Sequence, residues 1–297
     1  MSFNVKAQSA FKKLGAVALI TATLEMFLVA CKQTSGGGKQ GAPFVEGGAS
    51  LILSPDNLTI RVRAKTADGS AITVEGCNET TLKSDIQNST ELHAKGTVVI
   101  LKGKITELYC NGDYDNKQPL TALNVQGLTA LKELWCYHNK LTELNVQGLA
   151  SLRMLSCHNN QLPALNVQGL TALRELNCAI NKLTTLNVQG LLALKVLWCP
   201  VNQLTALNVQ GLPALKELGY FSNQLNAQAM TELLKSLPAR KASDDAKAVL
   251  YTEETDEPEG NYKDFTQPAE LRTAFDDAKS RNWKLQKRNA SGRYEYI

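Results

Sequence analysis

One hexapeptide constrains what this chain can fold into more than any other feature. "LNVQGL" starts at Leu123, Leu144, Leu165, Leu186 and Leu207, a spacing of 21 residues each time. A strict period in this range means that each unit is one turn that cannot bury its own apolar side, so successive turns must stack. A second pattern runs between the hexapeptides. It reads "LKELWCYHNKL" from Leu131, "LRMLSCHNNQL" from Leu152, "LRELNCAINKL" from Leu173, "LKVLWCPVNQL" from Leu194 and "LKELGYFSNQL" from Leu215. A degenerate copy, "ITELYCNGDYDNKQPL", precedes them from Ile105 and carries five extra residues after Cys110.

All five full copies fit L-x-x-L-x-[LCY]-x-x-N-x-L, which is similar to the signature of leucine-rich repeats. The expected fold is α/β: a leucine-rich-repeat solenoid of 21-residue turns with a parallel sheet over residues 105–225. Side chains alternate along a strand, so Leu134 and Cys136 point inward while Glu133, Trp135 and Tyr137 point outward. Asn139, Asn160, Asn181, Asn202 and Asn223 are expected to form an internal ladder. Their amides would satisfy backbone groups where the chain leaves the strand. The alternation Leu144-x-Val146-x-x-Leu149 points to an extended rather than helical back face.

Cys110, Cys136, Cys157, Cys178 and Cys199 share one inward slot. A column of buried small apolar groups is the first reading. Disulfides between turns are a second, although in-register Cβ atoms about 4.8 Å apart exceed the roughly 3.8 Å a bridge wants. Zinc is a third, disfavoured because a column does not converge tetrahedrally. A Cys–His nucleophile pair is disfavoured because His138 and His158 lie on the other side of the strand. "NGDYDN" at Asn111 lacks the glycine and final glutamate of a calcium loop. Cys77 lies outside the column and has no assigned role.

The outward strand positions carry Tyr109, Trp135, Tyr137, His158, Trp198 and Phe221. Large aromatic rings left on a surface often mark partner sites, and Trp and Tyr are common binding anchors; the alternative is that aromatics simply favour strands and that a terminal segment folds over some of these. Glu107, Glu133, Glu175 and Glu217 add either a polar rim or plain solvation. The expected partner is a protein or a glycan. No cofactor, metal or enzymatic activity is expected, because no acid–base pair, phosphate-binding loop or ligand cluster survives this geometry.

The ends differ from the repeats. Residues 50–104 read as a β-rich N-terminal cap, with "TLKSDIQNSTELHAKG" as a short helix or a loop. Residues 226–297 read as an α/β C-terminal cap. There "AQAMTELLKSL" and "PAELRTAFDDAKSR" are helices, "AKAVLYT", "WKLQKR" and "RYEYI" are strands that prolong the parallel sheet, and "TEETDEPEGNYKD" is a solvated acidic loop. Lys6, Lys12 and Lys13 precede an apolar stretch from Leu14 to Ala30, the form of a secretory signal peptide over residues 1–30. An uncleaved membrane helix is the alternative, although Glu25 makes it a poor span. Residues 31–49 read as a flexible glycine-rich tether. Without residues 1–30, the net charge of +4 falls to nearly balanced, and no concentrated basic run suggests nucleic acid.

The ending Leu28-Val29-Ala30-Cys31 resembles a bacterial lipobox, which implies lipid on Cys31 and attachment to a membrane. Lipobox and repeats together resemble the bacterial leucine-rich-repeat surface lipoproteins of the LrrA type known from treponemes. That resemblance implies an outer-membrane, surface-exposed adhesin that attaches to host cells or other bacteria, and a monomer is expected. The alternative is a scaffold lipoprotein that organises the envelope and has no external ligand.

Overall fold

The computed structural model describes residues 41–112, 119–256 and 258–297. Cys31, the lipobox and most of "NGDYDN" lie outside them. The unit from Ala42 to Ile297 is built on two sheets.

The larger sheet has eleven strands. Its centre is a run of parallel strands, one per turn: β7 (Ile105–Tyr109), β9 (Glu133–Trp135), β11 (Met154–Ser156), β12 (Glu175–Asn177), β13 (Val196–Trp198) and β14 (Glu217–Gly219). Register is strict, with Leu108, Leu134, Leu155, Leu176, Leu197 and Leu218 side by side. Each strand is three to five residues long because one inward leucine and its flanks are all a turn presents. In each turn the inward leucines and valine are buried, as for Leu152, Leu155, Leu162, Val167 and Leu170. Each such side chain contributes roughly 1.5–3 kcal/mol.

The back face is extended and not helical. Among the described residues of the repeats, β8 (Leu120–Asn124) and β10 (Glu143–Asn145) pair there as strands, in parallel. Every residue of the hexapeptide has a task. In "LNVQGL" from Leu165, Leu165, Val167 and Leu170 are buried, and Asn166 Oδ1 accepts the Gln168 N–H at 3.0 Å. Gln168 Nε2 then donates to the Asn187 carbonyl of the next turn at 3.0 Å. Gly169 sits at φ +81°, where a side chain would be strained.

The N-terminal part continues both faces. β2 (Thr59–Thr66) lies antiparallel to β7 and to β5 (Asp85–His93), extending the strand face. β1 (Gly48–Leu53), β3 (Ile72–Glu75), β4 (Thr81–Leu82) and β6 (Val98–Lys102) join β8 and β10 in the six-stranded back sheet. Residues 81–82 and 85–93 are therefore strands, where a short helix or a loop was expected. Ile86 and Leu92 share strand parity, and β5 forms a largely exposed edge tied by Arg61 to Glu91 at 3.2 Å. A tether reaching residue 49 is also corrected. Ala42 and Val45 are buried, and the Ala42 carbonyl accepts from Asn124 Nδ2 at 3.0 Å.

At the other end, α1 (Ala227–Ser236) is capped by Asn226, whose Oδ1 accepts the Ala229 N–H. α2 (Ala269–Ser280) buries Leu271, Ala274 and Ala278. Arg281 closes the C-terminus of α1 by donating to the Leu234, Lys235 and Leu237 carbonyls. β15 (Lys247–Thr252) and β16 (Lys284–Arg288) lie parallel to the repeat strands. β17 (Tyr294–Tyr296) does not continue that order. It folds back antiparallel on β16, because only a short turn around Gly292 at φ +78° separates them. No helix among the described residues is long and apolar enough to cross a membrane.

Candidate binding face

The outward row of the repeat strands divides into two aromatic clusters. Parallel register places Tyr109, Trp135, Ser156, Asn177, Trp198 and Gly219 in line across the sheet, and antiparallel pairing of β2 with β7 adds Arg63 opposite Tyr109.

The first cluster is built of rings stacked across neighbouring strands. Tyr109 and Trp135 stack at 5.8 Å between centroids and 15° between planes. Tyr137 and His158 stack at 4.4 Å and 15°. Trp135 meets Tyr137 edge-on at 6.0 Å, and His138 meets His158 edge-on at 5.3 Å. The Arg63 guanidinium covers Tyr109 at 5.1 Å. The polar ends are fixed as well. Glu133 accepts from Tyr109 Oη at 3.0 Å and from Trp135 Nε1 at 3.4 Å. Burial, and then the neighbouring Glu133, push the Tyr109 phenol above its ordinary pKa. The rings of this cluster are half-buried.

His158 is held neutral. Burial and then the nearby His138 lower its pKa from 6.5 to about 4. Its Nδ1 lies 3.1 Å from Ser156 Oγ, and His138 Nδ1 lies 2.7 Å from Asn159 Nδ2.

The second cluster is Trp198, Phe221 and Tyr294. Trp198 is half-buried, with Phe221 edge-on at 6.5 Å and Tyr294 at 6.2 Å. Phe221 does not serve as an exposed anchor. It is only 4% exposed, because the Arg288 guanidinium from β16 lies 5.6 Å over its ring while Trp198 meets its edge. Tyr294, 51% exposed, takes the outermost place in this cluster. Its parity in a short C-terminal strand gave no sign that it would reach the repeat face.

The ladder under this face is complete. Asn160 Nδ2 donates to the carbonyls of Cys136, Cys157 and His158 at 3.0–3.3 Å, and its Oδ1 accepts the Leu141 N–H at 2.9 Å. Asn139, Asn181, Asn202 and Asn223 repeat the pattern, accepting from Leu120, Leu162, Leu183 and Leu204. A further rung comes from the acidic loop. Asn261 accepts the Leu225 N–H at 2.9 Å and donates to the Tyr220 and Leu250 carbonyls. Glu259 of the same loop accepts the Ser222, Thr252 and Asn261 N–H groups at 2.7–2.9 Å. Burial raises its pKa against those three bonds. Asn261 and Glu259 are thus docked, where a solvated loop was expected.

Cys110, Cys136, Cys157, Cys178 and Cys199 are fully buried and unbridged. Burial raises all five thiols, Cys110 and Cys178 to about 12. Tyr220 fills the next slot and donates to Met230 Sδ. Cys77, bridged in backbone to Ala94, is also buried, and burial lifts its thiol to about 11. Among the described residues no group of three His, Cys, Asp or Glu side chains is placed to hold a metal ion.

No family model and no curated protein matches the chain. Among solved structures it is similar to the functional domain of InlJ from Listeria monocytogenes, which includes a cysteine ladder. Identity is 29% and the TM-score 0.35, over 50% of this chain and 38% of that one. It is also similar to the leucine-rich-repeat protein LIC12759 of Leptospira interrogans, at 20% identity and a TM-score of 0.31 over 54% of this chain and 50% of that one. The chain therefore spans half or less of the length of either structure.

Proposed function

We propose that this chain is a bacterial surface adhesin: a leucine-rich-repeat solenoid, capped at both ends, held to the outer membrane by lipid on Cys31 and binding a protein or glycan through its strand face. One observation carries this reading. Tyr109, Trp135, Tyr137 and His158 form a continuous half-buried run of ring contacts, in which Tyr109 and Trp135 are already hydrogen-bonded to Glu133 and His158 to Ser156 within the face. Such rings need little further ordering on association, which favours affinity. Trp198 and Tyr294 supply a second aromatic surface three strands along.

The test compares the parent with Trp135→Ala/Trp198→Ala, each verified as folded by circular dichroism. Both are presented to matrix proteins, host-cell surfaces and bacterial surfaces. A loss of at least tenfold, about 1.4 kcal/mol, supports the reading. Equal binding places the site elsewhere, and no binding by either leaves the envelope-scaffold reading in front. Protease shaving of intact cells that leaves the protein uncut would overturn the surface location.

A further inference from the structure

We infer that the entry ends of the repeat strands form a second binding site, separate from the aromatic face, for a linear sulfated polysaccharide. Lys132, Arg153, Arg174, Lys195 and Lys216 precede successive strands, one per turn, and all five are exposed. Their backbones form a continuous ladder. Arg153 N–H bonds to the Lys132 carbonyl at 2.7 Å, Arg174 to Arg153 at 2.8 Å, Lys195 to Arg174 at 2.8 Å and Lys216 to Lys195 at 2.9 Å. The five cations therefore stand in register at the strand spacing of about 4.8 Å, a column about 19 Å long.

None of the five makes an ion pair or side-chain hydrogen bond among the described residues. Acids are at hand. Glu133, Glu175 and Glu217 directly follow Lys132, Arg174 and Lys216, yet they take the strand face. Like charges in register on adjacent strands destabilise a sheet. A column with no internal counter-charge is therefore a poor stability device and a ready receptor for an external polyanion.

The surroundings select the polyanion. The nine-residue segments that lead into each cation, 124–132, 145–153, 166–174, 187–195 and 208–216, contain no Asp or Glu and no aromatic residue. On that side of the column the surface is acid-free and leaves an anionic chain unopposed, while Glu133, Glu175 and Glu217 bound the other side. The lack of aromatics argues against single-stranded nucleic acid, whose sites add stacking platforms to a basic groove. Duplex DNA carries about one charge per 1.7 Å of axis, far denser than this column. One cation per strand instead matches a glycan with an anionic group on successive rings. Sulfated chains supply that density, whereas a polymer carboxylated only on alternate rings does not. Two arginines among the five offer forked donors suited to sulfate oxygens.

The experiment uses the full chain and size-fractionated heparin oligosaccharides longer than the column, titrated over a range of salt. Binding is expected, with affinity falling linearly on a log–log salt plot. Arg153→Gln/Arg174→Gln/Lys195→Gln should lose at least tenfold and reduce the salt slope by about three, roughly one released counterion per lost contact. Lys140→Gln/Lys182→Gln removes two exposed repeat cations that lie off the column and should change affinity less than twofold. The triple variant removes only exposed charges and is expected to melt no lower than the parent. Absence of heparin binding, an unchanged slope in the triple variant, or an equal loss in the Lys140/Lys182 variant would each overturn the site. Hyaluronan or single-stranded DNA binding the column as tightly as heparin would overturn the ligand class. Trp135→Ala/Trp198→Ala should bind heparin normally, so the two sites fail separately.

Discussion

The indole of Trp198 lies directly on the backbone of Gly219. A β-carbon built at Gly219 would stand 2.5 Å from Cζ3 and 3.0 Å from Cδ2 of that ring, inside any real contact distance. Other turns place Trp135, Ser156 or Asn177 at this position of the row. A glycine there lets one tryptophan lie flat across two strands. Gly219→Ala should therefore lift the ring, weaken its contacts with Phe221 and Tyr294, and cost about 1–3 kcal/mol as overpacking does. Urea unfolding and a red shift in tryptophan emission check this. An unchanged midpoint with unchanged emission would mean that the ring does not rest on residue 219.

The ladder makes a sharper energetic claim. Asn160→Ala would strand the Leu141 N–H in the core and take one of two donors from each of the Cys136, Cys157 and His158 carbonyls, with a cost of about 1–3 kcal/mol. Asn261 has equivalent contacts on both sides of its amide. Asn261→Ala should be as damaging, whereas Asn88→Ala, exposed on β5, should stay within about 0.5 kcal/mol. Chemical denaturation of the three variants decides it. A mild effect at Asn261 would reduce it to a loop contact.

These two sites show how far the sequence was legible. The repeat strands, the inward leucines and the rungs from Asn139 to Asn223 follow from a local pattern recurring 21 residues apart, with each residue's role fixed by neighbours in its own turn. Asn261 was hidden because the last turn is enlarged by α1 and β15, which moves the rung 38 residues beyond Asn223 and into an acidic stretch. Acidic stretches are normally solvated, and nothing local marks Glu259 as an acceptor for three backbone N–H groups. Phe221 is outward by parity yet buried, because Arg288 arrives over its ring from a strand some seventy residues later. Short-range alternation tells which way a side chain points. It does not tell what later folds over it.

The residue before each repeat rung is strained. His138, Asn159, Ile180, Val201 and Ser222 all have φ between +51° and +54°. Asparagine tolerates that left-handed region, and β-branched residues do not. Ile180 is also 42% exposed, so little packing offsets its strain. Ile180→Asn should stabilise the protein by about 1 kcal/mol, seen as a raised thermal midpoint. A lowered midpoint would show that the isoleucine side chain makes contacts worth more than its backbone costs.

The cysteine column should be chemically silent in the native state. A thiol reacts as its thiolate, and burial suppresses that form at all five positions. A thiol reagent at pH 8 should label Cys110, Cys136, Cys157, Cys178 and Cys199 only at the rate of unfolding, and all together in denaturant. Mass spectrometry of labelled peptides distinguishes this from stepwise opening. Rapid native labelling of Cys136 or Cys157 would show that the turns breathe individually.

Histidine protonation should make the aromatic face sensitive to acid. In the folded chain His158 titrates at about 4, because burial and then His138 disfavour its charged form. The unfolded value is near 6.5. Between these values the unfolded state binds a proton that the native state refuses, so stability is full above about pH 6.5 and is lost as pH falls toward 4. After allowance for partial solvent screening the loss is roughly 1–2 kcal/mol. His93 acts in the opposite sense: hydrogen bonding to Glu79 raises its pKa, so its contribution is present below its unfolded value and fades as pH rises. The measurement therefore compares His158→Gln with the parent, both carrying His93→Gln, by urea unfolding at pH 7.5 and 4.5. The parent should lose more stability than the variant on acidification. Equal losses would mean that His158 is solvated and free to protonate, and that the stack with Tyr137 does not bury it.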